Sequence, residues 1–167
     1  ANAMWGAGQM MFNKFLIVVD EDFDIRDHNA LKKTICKHYF PATDTLVSKG
    51  PLDILDHTAP RVGFGGKLCM DATTKEYSRK EPVEMDQLIR VKFDKDEEES
   101  SEYRKLWLLG ANCDAERDSV IKNGVLHLDA SSKKGMKGFD REWPDIVTSS
   151  EETKARIDSI WDSPGIE

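Results

Sequence analysis

The side chains of this chain that could do chemistry are few, and most have a plainer use. Four acids crowd Asp20-Glu-Asp-Phe-Asp24. A calcium-binding EF-hand loop counted from Asp20 would need glycine at position six and glutamate at twelve, and Ile25 and Leu31 stand there instead. The cluster reads as a solvated acidic turn. Gly63-Phe-Gly-Gly-Lys67 hints at a phosphate cradle, but the earlier glycine of a Walker loop is missing. Leu68 also occupies the place of the magnesium-binding hydroxyl. Those glycines are better explained by a chain that turns sharply. His28, His38, His57 and His127 form no H-x-x-x-H pair, and no serine sits in a nucleophile elbow. Of the four, His57 is the candidate, because it falls in a long loop. Cys36, Cys69 and Cys113 make no C-x-x-C pair and read as small buried hydrophobes of a reducing cytosol. Lys14 precedes an entirely apolar run, and its residue context alone makes it a solvated lysine at a strand start.

These side chains must be positioned by one domain, or by one domain with a large insertion, since the chain has 167 residues. Hydrophobic residues make up 39%, enough for a core without metal or disulfide staples. The net charge of -7 disfavours nucleic acid, whose phosphates need a basic face, and anionic lipid as well. No run is long and apolar enough to span a bilayer, and Asn2 to Phe12 lacks the pattern of a signal peptide. A cytoplasmic location is expected.

Met4, Ala7, Gly8, Met11 and Phe12 have helical spacing, weakened by Gly6 and Gly8. Phe15 to Val19 predicts a strand buried on both faces. A helix capped near Asp27 follows, with Ala30, Leu31, Thr34, Ile35 and Tyr39 on one face and Pro41 as its stop. Asp44 to Val47 predicts a second strand, which would complete a right-handed βαβ unit. Lys49 to Gly66 reads as a long Pro/Gly loop, the kind that is functional or disordered. Strands are expected at Lys67 to Asp71, at Ile89 to Phe93 with one wet face, and at Val125 to Asp129. Asp94 to Glu102 reads as a charged tip, Glu102 to Leu109 as helix or strand, and Asp114 as the cap of a helix through Ile121. Ser149 and Glu152 form a capping box for a last helix that buries Ala155, Ile157, Ile160 and Trp161 and stops at Pro164-Gly165. The expected fold class is α/β: a layered domain with a largely parallel or mixed sheet around the βαβ unit and helices packed on it. An α+β arrangement is the alternative.

One stretch is echoed. Gly66-Lys-Leu-Cys-Met-Asp-Ala-Thr-Thr-Lys75 returns as Gly124-Val-Leu-His-Leu-Asp-Ala-Ser-Ser-Lys133. It predicts two similar strand-to-turn corners in which Asp71 and Asp129 accept from backbone amides two residues on.

Several segments, in order, resemble the C-terminal domain of the UbiD-type decarboxylases (polyprenyl-hydroxybenzoate carboxy-lyases). They are Met4 through Asp24, Pro41-Ala-Thr-Asp-Thr-Leu46, Leu52-Asp-Ile-Leu-Asp-His-Thr-Ala-Pro60 and Gly65 through Thr73. The tail from Arg141-Glu-Trp-Pro144 to Ile157-Asp-Ser-Ile-Trp-Asp162 completes the series. The resemblance covers residues 1–75 and 138–167 of a single domain, 1–167, with residues 76–137 as a probable subgroup insertion.

The resemblance implies a parent carboxy-lyase acting on polyprenyl-hydroxybenzoate or a related aromatic acid in ubiquinone or menaquinone biosynthesis. It implies prenylated FMN and a divalent metal, Mn or Mg, both held by an N-terminal flavin-binding portion of the same protein, and a homo-oligomer. No catalytic or metal-binding residue is expected in this stretch, which would be inactive alone. By the same resemblance Lys14 would reach the cofactor phosphate, and Asp56, His57, Pro60, Gly63 and Gly65 would belong to a lid over the substrate pocket. Two other readings compete. One is a purely structural or oligomerisation module. The other is a receiver-like phospho-acceptor, loosely suggested by the acids after the first strand, Leu52-Asp-Ile-Leu-Asp56 and Pro60.

Overall fold

The computed structural model describes residues 1–145 and 147–161. The fold is mixed α/β, with two three-stranded sheets and helices packed on them. In the first sheet, β1 (Phe15–Val18) lies parallel to β3 (Phe64–Asp71), and β2 (Thr45–Pro51) lies antiparallel on the other side of β3. The expected βαβ unit is therefore corrected. β2 runs opposite to β1, and β3 is the strand that joins them.

The local sequence explains the reversal. Helix α2 (His28–His38) starts where the Asp27 side chain accepts from the Ala30 amide, and it ends before Pro41. Pro41–Asp44 then makes a single helical turn, α3, with proline at its first position. The Asp44 carboxylate accepts from the Phe40 amide, and buried Tyr39 bonds Thr45 Oγ1 at 2.5 Å. That tight turn sends β2 back against β3.

The second sheet has the same plan. β4 (Ile89–Lys92) is parallel to β6 (Val125–Asp129), with β5 (Ser119–Lys122) antiparallel on the far side of β6. Helix α4 (Glu102–Asn112) connects β4 to β5, which settles the undecided stretch as helix. One core joins both sheets: Ile35, Tyr39, Leu68 and Ala72 meet Cys113, Ala115, Leu126 and Leu128.

Four expectations change. The first residues form a four-residue helix, α1 (Asn2–Trp5), and then a 3-10 turn over Gly8–Phe12, because Gly8 takes φ +48°. β1 is a sheet edge and leaves Ile17 and Val18 partly in water, so it is not buried on both faces. Asp114 caps no helix: its carboxylate accepts from the amides of Gly66, Glu116 and Arg117, and Ser119–Lys122 is a strand. The last helix, α5 (Glu151–Ile160), is capped by Ser150, not Ser149. It leaves Ile157, Ile160 and Trp161 exposed, so the expected buried face is absent here. The predicted stop at Pro164-Gly165 lies outside the described residues.

Candidate functional site

Lys14 sits just before β1, where the parallel pairing with β3 fixes its backbone: the Leu68 amide donates to the Lys14 carbonyl at 2.9 Å. Its ammonium lies 2.8 Å from Asp56 Oδ2 and donates to Thr58 Oγ1 at 3.1 Å. Only 9% of the lysine side chain and 14% of the aspartate is exposed. Burial alone would raise the Asp56 carboxyl, but the Lys14 charge and hydrogen bonds from Lys14 and Thr58 hold it below the ordinary value.

The 52–63 loop is pinned from several directions. Thr58 and Ala59 are fully buried. Arg117 Nη1 donates to the Thr58 carbonyl at 2.8 Å, and Arg141 Nη1 donates to the carbonyls of Asp56 and Ala59, both at 2.9 Å. The Trp143 ring meets His57 edge-on at 4.6 Å between centroids. His57 is held below its usual basicity chiefly by burial, against the Asp56 charge and an Asn112 hydrogen bond. Arg117 is fixed in turn by Asp118, through bonds of 2.7 and 2.6 Å. Between these clamps the loop turns Ile54, Leu55 and Val62 to solvent.

The structure thus brings Lys14, Asp56 and His57 into one neighbourhood. Pro60 is exposed on the loop, and Gly63 takes φ +71° at the loop's return into β3. Gly65 lies inside β3, where an added Cβ would sit 2.6 Å from Asp114 Oδ2 and 2.8 Å from Leu52 Cδ1. Close packing therefore accounts for Gly65. Of the residues that matter here, Arg117 carried no sequence signal, and Asp114 was expected only as a helix cap. Arg141 and Trp143 lie in the Arg141-Glu-Trp-Pro144 motif, from which no role for them follows.

Lys67 also belongs to this region. It is buried, and its ammonium donates to the carbonyls of Met11 at 2.6 Å and Asn13 at 2.9 Å. Burial lowers its basicity, and the Asp56 charge partly opposes that. Two surface clefts lie elsewhere. One of about 580 Å³ is lined by Val18, Asp44, Leu46, Cys69 and Lys75, and one of about 440 Å³ by Lys32, Cys36, Val83 and Met85. Asp20, from the acidic turn, accepts from the Thr74 amide and hydroxyl.

Toward a phosphorylated cofactor Lys14 offers an ammonium whose charge Asp56 already meets. An anion would take that contact by sharing or displacing the carboxylate. Among the described residues, no group of three or more His, Cys, Asp or Glu side chains is disposed to hold a metal ion. No described helix is long and apolar enough to cross a membrane.

Comparison with known proteins bears on the same residues. The chain is 29% identical over its whole length to an uncharacterized protein of Aquifex aeolicus, covering 22% of that relative. It is 27% identical to an uncharacterized protein of Helicobacter pylori (90% of this chain, 33% of the relative). It is 26% identical to one of Archaeoglobus fulgidus (95% and 21%). The chain therefore spans between a fifth and a third of the length of these relatives. The family model of the 3-octaprenyl-4-hydroxybenzoate carboxy-lyase C-terminal domain matches residues 1–72, a stretch that holds Lys14 and the whole pinned loop. Residues 1–72 thus carry the C-terminal domain signature of the 3-octaprenyl-4-hydroxybenzoate carboxy-lyase family.

Proposed function

We propose that this chain is the C-terminal part of a decarboxylase of aromatic acids, and that it presents Lys14 and the 52–63 loop to a flavin-type cofactor gripped by another portion of the same protein. The observation that carries the reading is the joint position of Lys14, Asp56 and His57 within the family-matched segment. When bound, prenylated FMN would supply the electron sink for loss of carbon dioxide. Lys14 would supply a point charge on a rigid strand start, suited to a phosphate. Asp56 and Thr58 orient that ammonium, and Arg117, Arg141 and Trp143 fix the loop that carries them. The substrate would be polyprenyl-hydroxybenzoate or a related acid. The divalent metal would belong to the other portion, so this chain alone would release no carbon dioxide.

The test is Lys14→Ala in the full-length protein, read as flavin retained per mole after gel filtration. A fall in retention is expected in protein that circular dichroism shows still folded at the assay temperature, and full retention would reject the cofactor contact. The competing reading, a structural or oligomerisation module, is favoured by one observation: the partner of Lys14 is internal. It expects full retention.

A further inference from the structure

The strand registers repeat with fixed offsets. Phe15 pairs with Leu68 and Val18 with Asp71, while Ile89 pairs with Leu126 and Lys92 with Asp129. The first strands are 74 residues apart and the third strands 58. Thr45↔Met70 and Ser48↔Lys67 likewise become Ser119↔Leu128 and Lys122↔Val125, with the same two offsets. Helices α2 and α4 each have 11 residues and start 74 apart. Each begins at a side chain that accepts from the amide three residues on, Asp27 in one and Ser101 in the other.

The side-chain chemistry repeats as well. Asp71 accepts from the amide and hydroxyl of Thr73, and Asp129 does the same with Ser131. Lys75 donates to the carbonyls of Asp71 and Thr73, and Lys133 to those of Asp129 and Ser131. A second acid faces each lysine, Asp44 at 3.5 Å and Asp118 at 3.7 Å, again 74 apart. The Thr74 amide donates to Asp20, and the Ser132 amide to Asp94.

Contacts between the halves are reciprocal. Pro41–Asp44 of the first packs on β6 of the second. The equivalent turn, 115–118, lies on β3 of the first, so close that a Cβ on Gly66 would stand 2.2 Å from the Glu116 amide. Such i-to-j and j-to-i contact is the mark of a two-fold interface between like subunits. The family match ends at residue 72, close to the end of the first half.

We propose that residues 88–133 are a second copy of the 14–75 unit, seated where a two-fold-related subunit would sit and retained to hold the first copy's loop. The copies differ where the proposed function lives. Leu88 replaces Lys14, and the turn Asn123-Gly124 replaces residues 49–66, which accounts for the change in offset from 74 to 58. The second copy has turned its own residues onto the first copy's loop: Arg117 grips Thr58, and Asp114 grips Gly66. Arg117 is thus a positioning residue. What the loop does for a ligand rests on the preceding section, whereas the experiment below reads structure alone.

In the full chain, residues 49–66 are replaced by Asn-Gly and Lys14 by Leu, which gives the first copy the form of the second. The expected product keeps one cooperative thermal transition and slow amide exchange in β3 and β6. Loss of cooperative unfolding would overturn the duplication. A milder pair of variants tests the holding role. Arg117→Ala should speed exchange at residues 52–60 at least tenfold while β5 and β6 stay protected, and Arg117→Lys should restore only part of that protection. Unchanged loop protection, or a loss spread evenly over the chain, would overturn the role.

Discussion

Lys14 and Asp56 meet at 2.8 Å across the gap between the start of β1 and the pinned loop, each almost out of water. Removing one partner of such a pair leaves a charge without compensation, which costs about 3 to 5 kcal/mol in buried settings, while replacing both is far milder. Asp56→Ala should therefore destabilise the chain by about 3 kcal/mol in urea melts, and Lys14→Met with Asp56→Leu should recover most of that. Equal losses in the single and double variants would show that the pair is not the cause.

Acid should act through the same carboxylate. The folded-state pKa of Asp56 is depressed, so its contribution is present above the ordinary value of 3.8 and is lost as pH falls through the lower, folded value. Asp71 and Asp129 shift in the same direction, but both are more exposed and weigh less. The melting temperature should hold down to about pH 4 and then fall. Asp56→Asn should lower the plateau and shallow that fall.

Alkali has the opposite sign. Burial pushes the Tyr39 hydroxyl up to about 12, against the Thr45 hydrogen bond, and pushes the Cys113 thiol up to about 12 as well. Both groups stay protonated in the fold while the unfolded chain begins to lose its protons near 9.0 for the thiol and 10.0 for the phenol. Stability should decline from about pH 9 upward, and Cys113 should react with a thiol reagent only at the rate of unfolding. Fast labelling of Cys113 in the folded chain at pH 8 would contradict its burial.

Gly66 and Gly124 hold equivalent sequence positions yet differ in surroundings. A Cβ at Gly66 would strike backbone, the Glu116 amide at 2.2 Å, so Gly66→Ala should cost about 3 kcal/mol or prevent folding. Gly124 faces open space at φ +76°, so Gly124→Ala should cost about 1 kcal/mol of backbone strain. Chemical denaturation of the two variants ranks them.

Helix α5 gives a contrasting expectation. Ile157 is 42% exposed, so Ile157→Lys should change the stability of this chain by no more than about 0.5 kcal/mol. A larger loss would mean that the helix packs on the domain in solution.

Strands β1 to β4, β6 and helix α2 were legible because their signals are local (apolar runs, an Asp cap, a proline stop), whereas β5 read as helix. The corners at Asp71 and Asp129 were legible for the same reason, since an aspartate two residues ahead of an amide makes its own turn. The direction of β2 was not legible, because it depends on Tyr39 and Asp44 closing a turn that only the folded core stabilises. Asn123-Gly124 is a local hairpin signal; with φ of 53° and 76° it fits the tight turn that joins β5 to β6. The apolar stripe of α5 suggested burial, but periodicity cannot say whether a neighbour is present. At the candidate site, Lys14 and Asp56 were named only through the family resemblance, whereas Arg117 and Asp114 act across sequence separations of 59 and 48 residues that no local pattern records.

The ammonium of Lys67 has a practical bearing on how the domain can be trimmed. Its hydrogen-bond acceptors are the carbonyls of Met11 and Asn13, and Gly50 leaves room for its stem, since a Cβ there would come within 2.9 Å of Lys67 Cε. An N-terminal boundary drawn at the first strand would leave that buried cation without the two carbonyls that accept from it. Residues 11–13 therefore belong to the smallest stable piece of this polypeptide, although they contribute no strand to either sheet.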